Sequence, residues 1–297
     1  MKSDIVRLHL VVVVFAFTGV IGKLISPAVN APNLVMYRML FAALGLGAYL
    51  IIKGQRLPPV SQWWKFLLVG LLVGCHWVFF FQAIKVSNVS VTLGCFASAA
   101  LFTSLIEPLL TRSRFSKLDI VMSIMVMVGI YMIFEYAWTY WTGILYALAS
   151  ALLAALFTVI NKKFVANSEV LSMSFLELLG GGVMLSAVVL CGETKLVWPG
   201  GEDLLYLLVL AWICTSFAFV MSNLVMKTLT AFQVSLTINL EPVYGIVLAV
   251  MIFGESERMS AGFYTGACLI LATVVLYMPL KRWTKKRGKS KFPSFLG

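Results

Sequence analysis

The chain has 297 residues, of which 61% are apolar and only 12% are charged, and its mean hydropathy is +0.97. A soluble domain carries roughly twice that share of charged residues, because its surface faces water. The composition therefore excludes a soluble globular protein and predicts an integral membrane protein.

Ten apolar runs follow one another along the chain, each near the length of about 20 residues that a transmembrane helix needs. They are uniformly apolar, whereas the strands of a membrane barrel alternate in polarity. We therefore predict an all-α integral membrane fold with ten transmembrane helices. The predicted spans are 5–26, 31–52, 63–84, 89–110, 118–134, 140–160, 170–191, 202–226, 233–253 and 261–280.

The net charge of +11 comes from basic residues concentrated in the termini and the even-numbered joints between spans. This asymmetry predicts that both termini are cytoplasmic. We expect a multi-pass protein of a bacterial inner (cytoplasmic) membrane. The basic tail, residues 281–297, is expected to bind anionic lipid headgroups. The position of the basic residues therefore indicates how the chain is oriented in the membrane, and it excludes a nucleic-acid partner.

Two halves of the chain are related by an internal repeat. The segment 90–117 aligns with 233–260 at a constant offset of 143 residues, and one last apolar helix follows each segment. Five spans per half is an odd number, so the second half enters the membrane inverted. The aligned joints support this, because TRSRFSK is basic and GESERMS carries two glutamates. Inverted repeats are typical of secondary transporters, with the site at the midplane between the halves.

The segment 239–277 and its counterpart 76–110 resemble the repeats of the EamA family of the drug/metabolite transporter superfamily. The resemblance implies one repeat over residues 1–137, a second, inverted repeat over 138–280, and transport of small metabolites. Glu241 and Pro242 match the pair that opens a cavity-lining helix in that family. Ser98 and Ala99 replace this pair in the first half, which therefore lacks the proline from which a kink is expected.

Four ionisable residues lie far from every predicted span end: Arg38, His76, Glu177 and Glu241. Because a charge at membrane depth is costly, each needs a partner, water or a function. Arg38 is suited to hold a substrate carboxylate, and Glu177 or Glu241 to bind a proton or the substrate amine. The alternative is a buried Arg38–Glu177 ion pair that only fixes helix packing. Pro242 beside Glu241 predicts a kink suited to a gate.

His76 is either a proton acceptor or a neutral packing histidine. The eighth helix places Trp212, Ser216, Phe219 and Asn223 at spacings of one helix face, which predicts a pocket wall or ordinary helix packing. Glu107, near its helix end, is predicted to form an interfacial ion pair with nearby arginines. The remaining candidate substrate-binding residues are Tyr37, Trp77, Phe80 and Asn239.

These features predict a secondary transporter that moves a small polar metabolite, such as an amino acid, by alternating access. Export and proton coupling are expected. The alternatives are another cargo class (a vitamin, a nucleoside-like or a drug-like compound) and a non-transporting membrane scaffold. We expect no enzyme activity, cofactor or metal, since no nucleophile, metal-ligand or phosphate-loop motif occurs. Whether the chain forms a homodimer stays open.

Overall fold

The computed structural model describes residues 2–112, 116–192 and 194–290, and this part of the chain contains helices and no strand. Most helix boundaries fall at polar or glycine-containing joints. The helices are α1 Lys2–Leu24, α2 Ala31–Ile52, α3 Trp63–Val86, α4 Val89–Phe96, α5 Ala99–Thr111, α6 Lys117–Tyr136, α7 Trp141–Phe164, α8 Val170–Cys191, α9 Gly201–Ala211, α10 Ala218–Val225, α11 Ala231–Ile238, α12 Glu241–Phe253 and α13 Ala261–Ser290.

These helices form ten transmembrane spans, as the sequence predicts. Within the described residues, nine helical stretches are long and apolar enough to cross a membrane. The fifth span is α6, with 20 residues. The fourth span consists of α4 and α5, the ninth of α11 and α12, and the eighth of α9 and α10 joined by the π-helical segment Trp212–Phe217. The start of α1 and the end of α13 lie on one face, here called the terminal face, and the opposite face is called the distal face.

Side-chain caps determine where several spans begin. Asn30, Asn88 and Glu169 each accept a hydrogen bond from a backbone N–H in the first turn of the helix that follows. Thr230 and Gln233 form a reciprocal capping box at α11. Such caps satisfy amide donors that have no partner inside the helix, so the joints direct the chain back into the membrane without unsatisfied backbone groups.

The packing of the spans shows the inverted repeat directly. The third span packs on the sixth and the seventh, and its counterpart, the eighth, packs on the first and the second. The fourth span contacts the sixth, as the ninth contacts the first. Three pairs (second with seventh, fourth with ninth, fifth with tenth) join equivalent spans of the two halves. Helix contacts therefore recur when the halves are exchanged.

Glycines allow the third and seventh spans to approach closely. A Cβ added at Gly70 would overlap the backbone carbonyl oxygen of Glu177, and one added at Gly181 would meet the carbonyl oxygen of Gly70. Small residues permit such close packing in membranes, where helices gain little from hydrophobic burial against each other. Gly70 and Gly181 therefore allow the two backbones to come into direct contact.

The fourth and ninth spans, which pack against each other, are both broken near the membrane centre. The ninth span ends one helix at Ile238 and begins the next at Glu241, with Pro242 in its first turn, a position that tolerates proline. The fourth span breaks between Phe96 and Ala99 although no proline is present there. Asn239 explains how this break is stabilised, because its Nδ2 donates to the Ala97 carbonyl at 2.7 Å. Each break therefore lies against the other.

Candidate functional site

A cavity lies between the two halves near the membrane centre, at the breaks of the fourth and ninth spans. It encloses about 690 Å³ of space that atoms do not fill, including the part open to solvent. Five predicted site residues line it: Arg38, His76, Trp77, Phe80 and Glu241. The lining combines aromatic rings with a few polar groups, which is the usual composition of a ligand site.

Arg38 is fully buried and held in a socket by the eighth span. Its Nε donates to Thr215 Oγ1 at 2.5 Å, and its Nη2 donates to the Cys214 carbonyl oxygen at 3.2 Å. The guanidinium carbon lies 4.2 Å from the ring centre of Trp77, within cation–π range. Nη1 has no hydrogen-bond partner within the described residues. The socket therefore fixes the guanidinium and leaves one donor nitrogen for a ligand.

The π-helical segment of the eighth span builds this socket. The wider turn from Trp212 to Phe217 disturbs the regular pattern of backbone hydrogen bonds, as π-helical turns do at functional sites. The Cys214 carbonyl is consequently available to Arg38. The Thr215 hydroxyl donates to the carbonyl of Leu210, five residues earlier, and so orients its oxygen as an acceptor for Arg38.

Glu241 adds an acidic side chain to the same cavity. It is the first residue of α12, where the N-terminal end of the helix dipole favours a negative charge. Both residues line the cavity, but no described contact brings the Glu241 carboxylate within 4.0 Å of Arg38. The two side chains therefore line one cavity without forming an ion pair with each other.

Aromatic rings form the remaining wall around His76. The imidazole lies 5.4 Å from the ring of Phe96 and 5.5 Å from that of Phe157, measured between ring centroids. Its Nδ1 is held by Ser150, with the hydroxyl at 2.8 Å and the carbonyl at 3.0 Å. These contacts fix His76 to the sixth span and direct one edge of its ring to the cavity.

Other predicted site residues lie outside the cavity lining. Tyr37 packs against Phe41 and Trp198 at the distal side of α2. Asn239 bonds the fourth span, as described above. Pro242 is buried in the first turn of α12, next to the cavity residue Glu241.

The prediction that the eighth helix presents one continuous face is wrong. Trp212 is 51% exposed and donates through Nε1 to the Phe41 carbonyl, and Ser216 donates to the Ala42 carbonyl. Both line a separate outer groove, whereas Phe219 lines the cavity. The π-helical turn lies between them and changes the rotation per residue, so the regular helical spacing used for the prediction does not hold.

The predicted alternative of an Arg38–Glu177 ion pair is also wrong. Arg38 bonds to the eighth span, and Glu177 Oε2 accepts a hydrogen bond from Asn161 Nδ2 at 3.1 Å. The two residues occupy equivalent positions in the second helix of each half, but their partners differ. Arg38 faces the cavity, and Glu177 lies in a polar cluster outside it.

Four hydroxyl side chains that line the cavity were not predicted from the sequence. Thr18, Thr158, Ser222 and Ser235 line it, together with Phe15. Isolated hydroxyl residues are common in transmembrane helices, where they bond to the backbone of the preceding turn. Nothing in the local sequence therefore marked these four, and only the packing of the spans brings them together.

The cavity is lined from both halves of the membrane, since Arg38 and Phe80 lie nearer the distal ends of their helices and other lining residues lie nearer the terminal face. In the ninth span, Ser235 lies about 6 Å and Glu241 about 15 Å from the start of α11 at that face, at 1.5 Å per residue. Both line the cavity. Lining residues of the sixth and eighth spans, such as Thr158 and Ser222, also lie in the half of the membrane near the terminal face.

A buried carboxylate joins three segments at the distal face. Glu257 is fully buried and accepts hydrogen bonds from the backbone N–H groups of Val89 at 3.0 Å and Ser90 at 2.8 Å, and from the Ser90 hydroxyl at 2.8 Å. Lys23, at the end of the first span, completes the group with an ion pair of 2.7 Å. The first, fourth and ninth spans are thereby bound together on this side of the cavity.

Glu107 has the corresponding role at the terminal face. Its two carboxylate oxygens accept hydrogen bonds from the N–H groups of Ala231 at 3.1 Å and Phe232 at 2.9 Å. It therefore caps α11 of the second half, as Glu257 caps α4 of the first. The sequence predicted an ion pair of Glu107 with nearby arginines and did not predict this capping role. One of those arginines, Arg114, lies outside the described residues.

Comparisons with known proteins agree with this architecture. The model of the EamA-like transporter family matches residues 5–135 and again residues 141–278. A solved structure described as "Crystal structure of protein" superposes with a TM-score of 0.74 at 18% identity, covering 96% of this chain and 99% of that chain. No curated protein matches the sequence.

Proposed function

This chain belongs to the EamA-like transporter family, and from that premise we propose that it is a secondary transporter for a small zwitterionic metabolite such as an amino acid. The observation that carries the proposal is the pair of opposite charges lining one cavity without contacting each other. The free Nη1 of Arg38 suits a carboxylate, because a guanidinium presents donors that match its oxygens. Glu241 suits the ammonium group.

The cavity lining favours this cargo over a polyanion. Among the described residues that line the cavity, Arg38 is the only Lys or Arg, whereas a phosphate-bearing compound needs several cations. Aromatic rings and the hydroxyls of Thr158, Ser222 and Ser235 would surround the remainder of the molecule. Binding energy would come from the two charged contacts and from apolar burial.

We propose export as the direction. With both termini cytoplasmic, as the basic joints predict, the terminal face is cytoplasmic, and part of the cavity lining lies in the half of the membrane next to it. The contacts of Glu257 bind the first, fourth and ninth spans together on the opposite side, and we propose that they close it. Alternating access would require breaking that group while the contacts of Glu107 at the terminal face close the inner side. Protons would drive the cycle through carboxylates within the membrane.

The experiment is a thermal-shift screen of amino acids and related metabolites on the purified protein in detergent. A ligand stabilises the folded state by mass action, so the cargo should raise the melting temperature. Its analogue without a carboxylate and its analogue without an amine should both raise it less. Arg56→Ala, an exposed arginine outside the cavity, serves as the matched control and should behave as the wild type.

The variants should separate the two charged contacts. Arg38→Ala should abolish the preference for the carboxylate over its decarboxylated analogue, and Glu241→Gln the preference for the amine. A preference for the carboxylate that persists in Arg38→Ala would contradict the assignment of that residue.

A further inference from the structure

A second buried polar cluster lies outside the cavity, between the sixth, seventh and eighth spans. It consists of Asn161 on α7, Ser174 and Glu177 on α8, and Asn223 on α10, all with 1% or less of their surface exposed. These residues are absent from the cavity lining. A buried carboxylate with no cationic partner in its group needs an explanation, because isolated charges are costly at membrane depth.

Within the described residues, two buried oxygen atoms of the cluster have no hydrogen-bond partner. Asn161 Nδ2 donates to Glu177 Oε2 at 3.1 Å and to Asn223 Oδ1 at 3.3 Å, and Asn223 Nδ2 donates to Ser174 Oγ at 3.1 Å. Glu177 Oε1 and Asn161 Oδ1 are buried and have no partner within the described residues. Both are acceptors, and they belong to the two side chains that already share one hydrogen bond.

One proton shared between Glu177 Oε1 and Asn161 Oδ1 would satisfy both atoms. A carboxylic acid and a primary amide pair through two parallel hydrogen bonds, N–H to the acid carbonyl and O–H to the amide oxygen. The first of these exists here between Asn161 Nδ2 and Glu177 Oε2. A hydrogen on Glu177 Oε1 would supply the second by donating to Asn161 Oδ1. Without it, two buried acceptors lack donors, at a cost of about 1–3 kcal/mol each.

We propose that Glu177 and Asn161 form a proton-binding site, distinct from the cargo cavity and occupied by one proton in this conformation. Its role in transport rests on the proposed function, since a proton site matters to the cycle only if the chain moves cargo. The site itself needs no cargo. The proton comes from water and returns to water, so no other reactant is involved.

The charged groups on the helices around Glu177 have partners elsewhere or are exposed. Arg38 on α2 is bound by the eighth span, His76 on α3 by Ser150, and Lys162 on α7 donates to the Met226 carbonyl. Lys65 on α3 and Lys163 on α7 are exposed at the membrane boundary. None of these contacts brings a cation to Oε1 that could replace the proton.

The position of the site links its proton to the shape of the cavity. Asn161 lies one turn from Thr158 on α7, and Asn223 directly follows Ser222 on α10; Thr158 and Ser222 both line the cavity. Loss of the proton would place an ionised oxygen opposite the Asn161 amide oxygen. The repulsion between two acceptors would separate α7 from α8 and so move the cavity wall.

Infrared spectroscopy of the purified protein tests the site without any cargo. A buried protonated carboxyl group gives a C=O stretching band that an ionised carboxylate lacks. We expect such a band at neutral pH in the wild type, its loss in Glu177→Gln, and its retention in Glu255→Gln, which removes an exposed carboxylate. Asn161→Leu should shift the band, because the acid loses its hydrogen-bonded partner. Identical spectra of the wild type and Glu177→Gln at neutral pH would overturn the proposal.

Melting temperatures of Glu177 variants show whether the folded protein holds this side chain as a neutral acid or as an ionised carboxylate. Gln reproduces the neutral acid, since its Nε2 can donate to Asn161 Oδ1, so Glu177→Gln should melt close to the wild type. Glu177→Ala should melt lower, because it leaves the Asn161 amide without partners. A strong loss of stability in Glu177→Gln would contradict the proton site. A Glu177-dependent band in a protein that fails to transport would support the site and refute only the proposed function.

Discussion

Removing the Glu257 carboxylate should open the distal face. Its four donors come from three different residues: the backbone N–H groups of Val89 and Ser90, the Ser90 hydroxyl, and Lys23. Hydrogen bonds to a charged group contribute about 1.5–3 kcal/mol each, and breaking a buried ion pair costs about 3–5 kcal/mol. We therefore expect Glu257→Ala to destabilise the closed distal face by roughly 3–5 kcal/mol.

A shift of that size changes the population of the open state by about 100-fold or more, since about 1.4 kcal/mol corresponds to a factor of ten. The assay is labelling of a single cysteine, Ser222→Cys, in a variant without the five native cysteines. A membrane-impermeant thiol reagent is added at the distal face of sealed vesicles. The labelling rate should rise at least about tenfold in Glu257→Ala, below the full population shift because the labelling reaction itself becomes limiting.

The neighbouring Glu255→Ala is the matched control. Glu255 is 80% exposed in its side chain and pairs only with Arg258 in its own turn, so its loss is expected to cost about 0–1 kcal/mol. Labelling in this variant should stay near the wild-type rate. Equal labelling rates in Glu257→Ala and Glu255→Ala would refute the role of Glu257 in closing the distal face.

Three further variants test the socket, the helix packing and the broken spans. Thr215→Val removes the acceptor for Arg38 Nε and should weaken cargo binding about five- to tenfold, or roughly 1–1.4 kcal/mol, as read from the ligand concentration that half-saturates the thermal shift. Gly70→Val should lower the melting temperature in detergent, with an overpacking cost of about 1–3 kcal/mol, whereas Gly200→Ala, which meets no neighbour, should not. Asn239→Leu leaves a carbonyl in the fourth span without its donor and should cost about 1–3 kcal/mol in stability; unchanged melting would contradict that role.

The architecture could be predicted from sequence because membranes impose simple rules. Span length, apolar composition and the sign of the charge in the joints between spans all depend on local sequence. Together they predicted ten helices in two inverted halves. The same rules directed attention to Arg38 and Glu241, because a charge at membrane depth is rare. The structure places both in one cavity.

What sequence could not predict depends on contacts between distant segments. The π-helical turn rotates Trp212 away from the cavity, and no rule of regular spacing contains it. The break of the fourth span lacks a proline and depends on Asn239 of the other half. Glu107 binds the N-terminus of α11 rather than a nearby arginine, because inverted packing brings that helix end to it.

Solute counterflow in proteoliposomes most directly measures whether the chain carries cargo through the cavity between Arg38 and Glu241. Vesicles are loaded with the unlabelled compound found by the thermal-shift screen and diluted into a trace of the labelled compound, without ATP. The wild type should accumulate label transiently, and Arg38→Ala should behave like protein-free vesicles. Accumulation by Arg38→Ala at the wild-type rate, or none by the wild type with a compound that stabilises it, would contradict transport through this cavity.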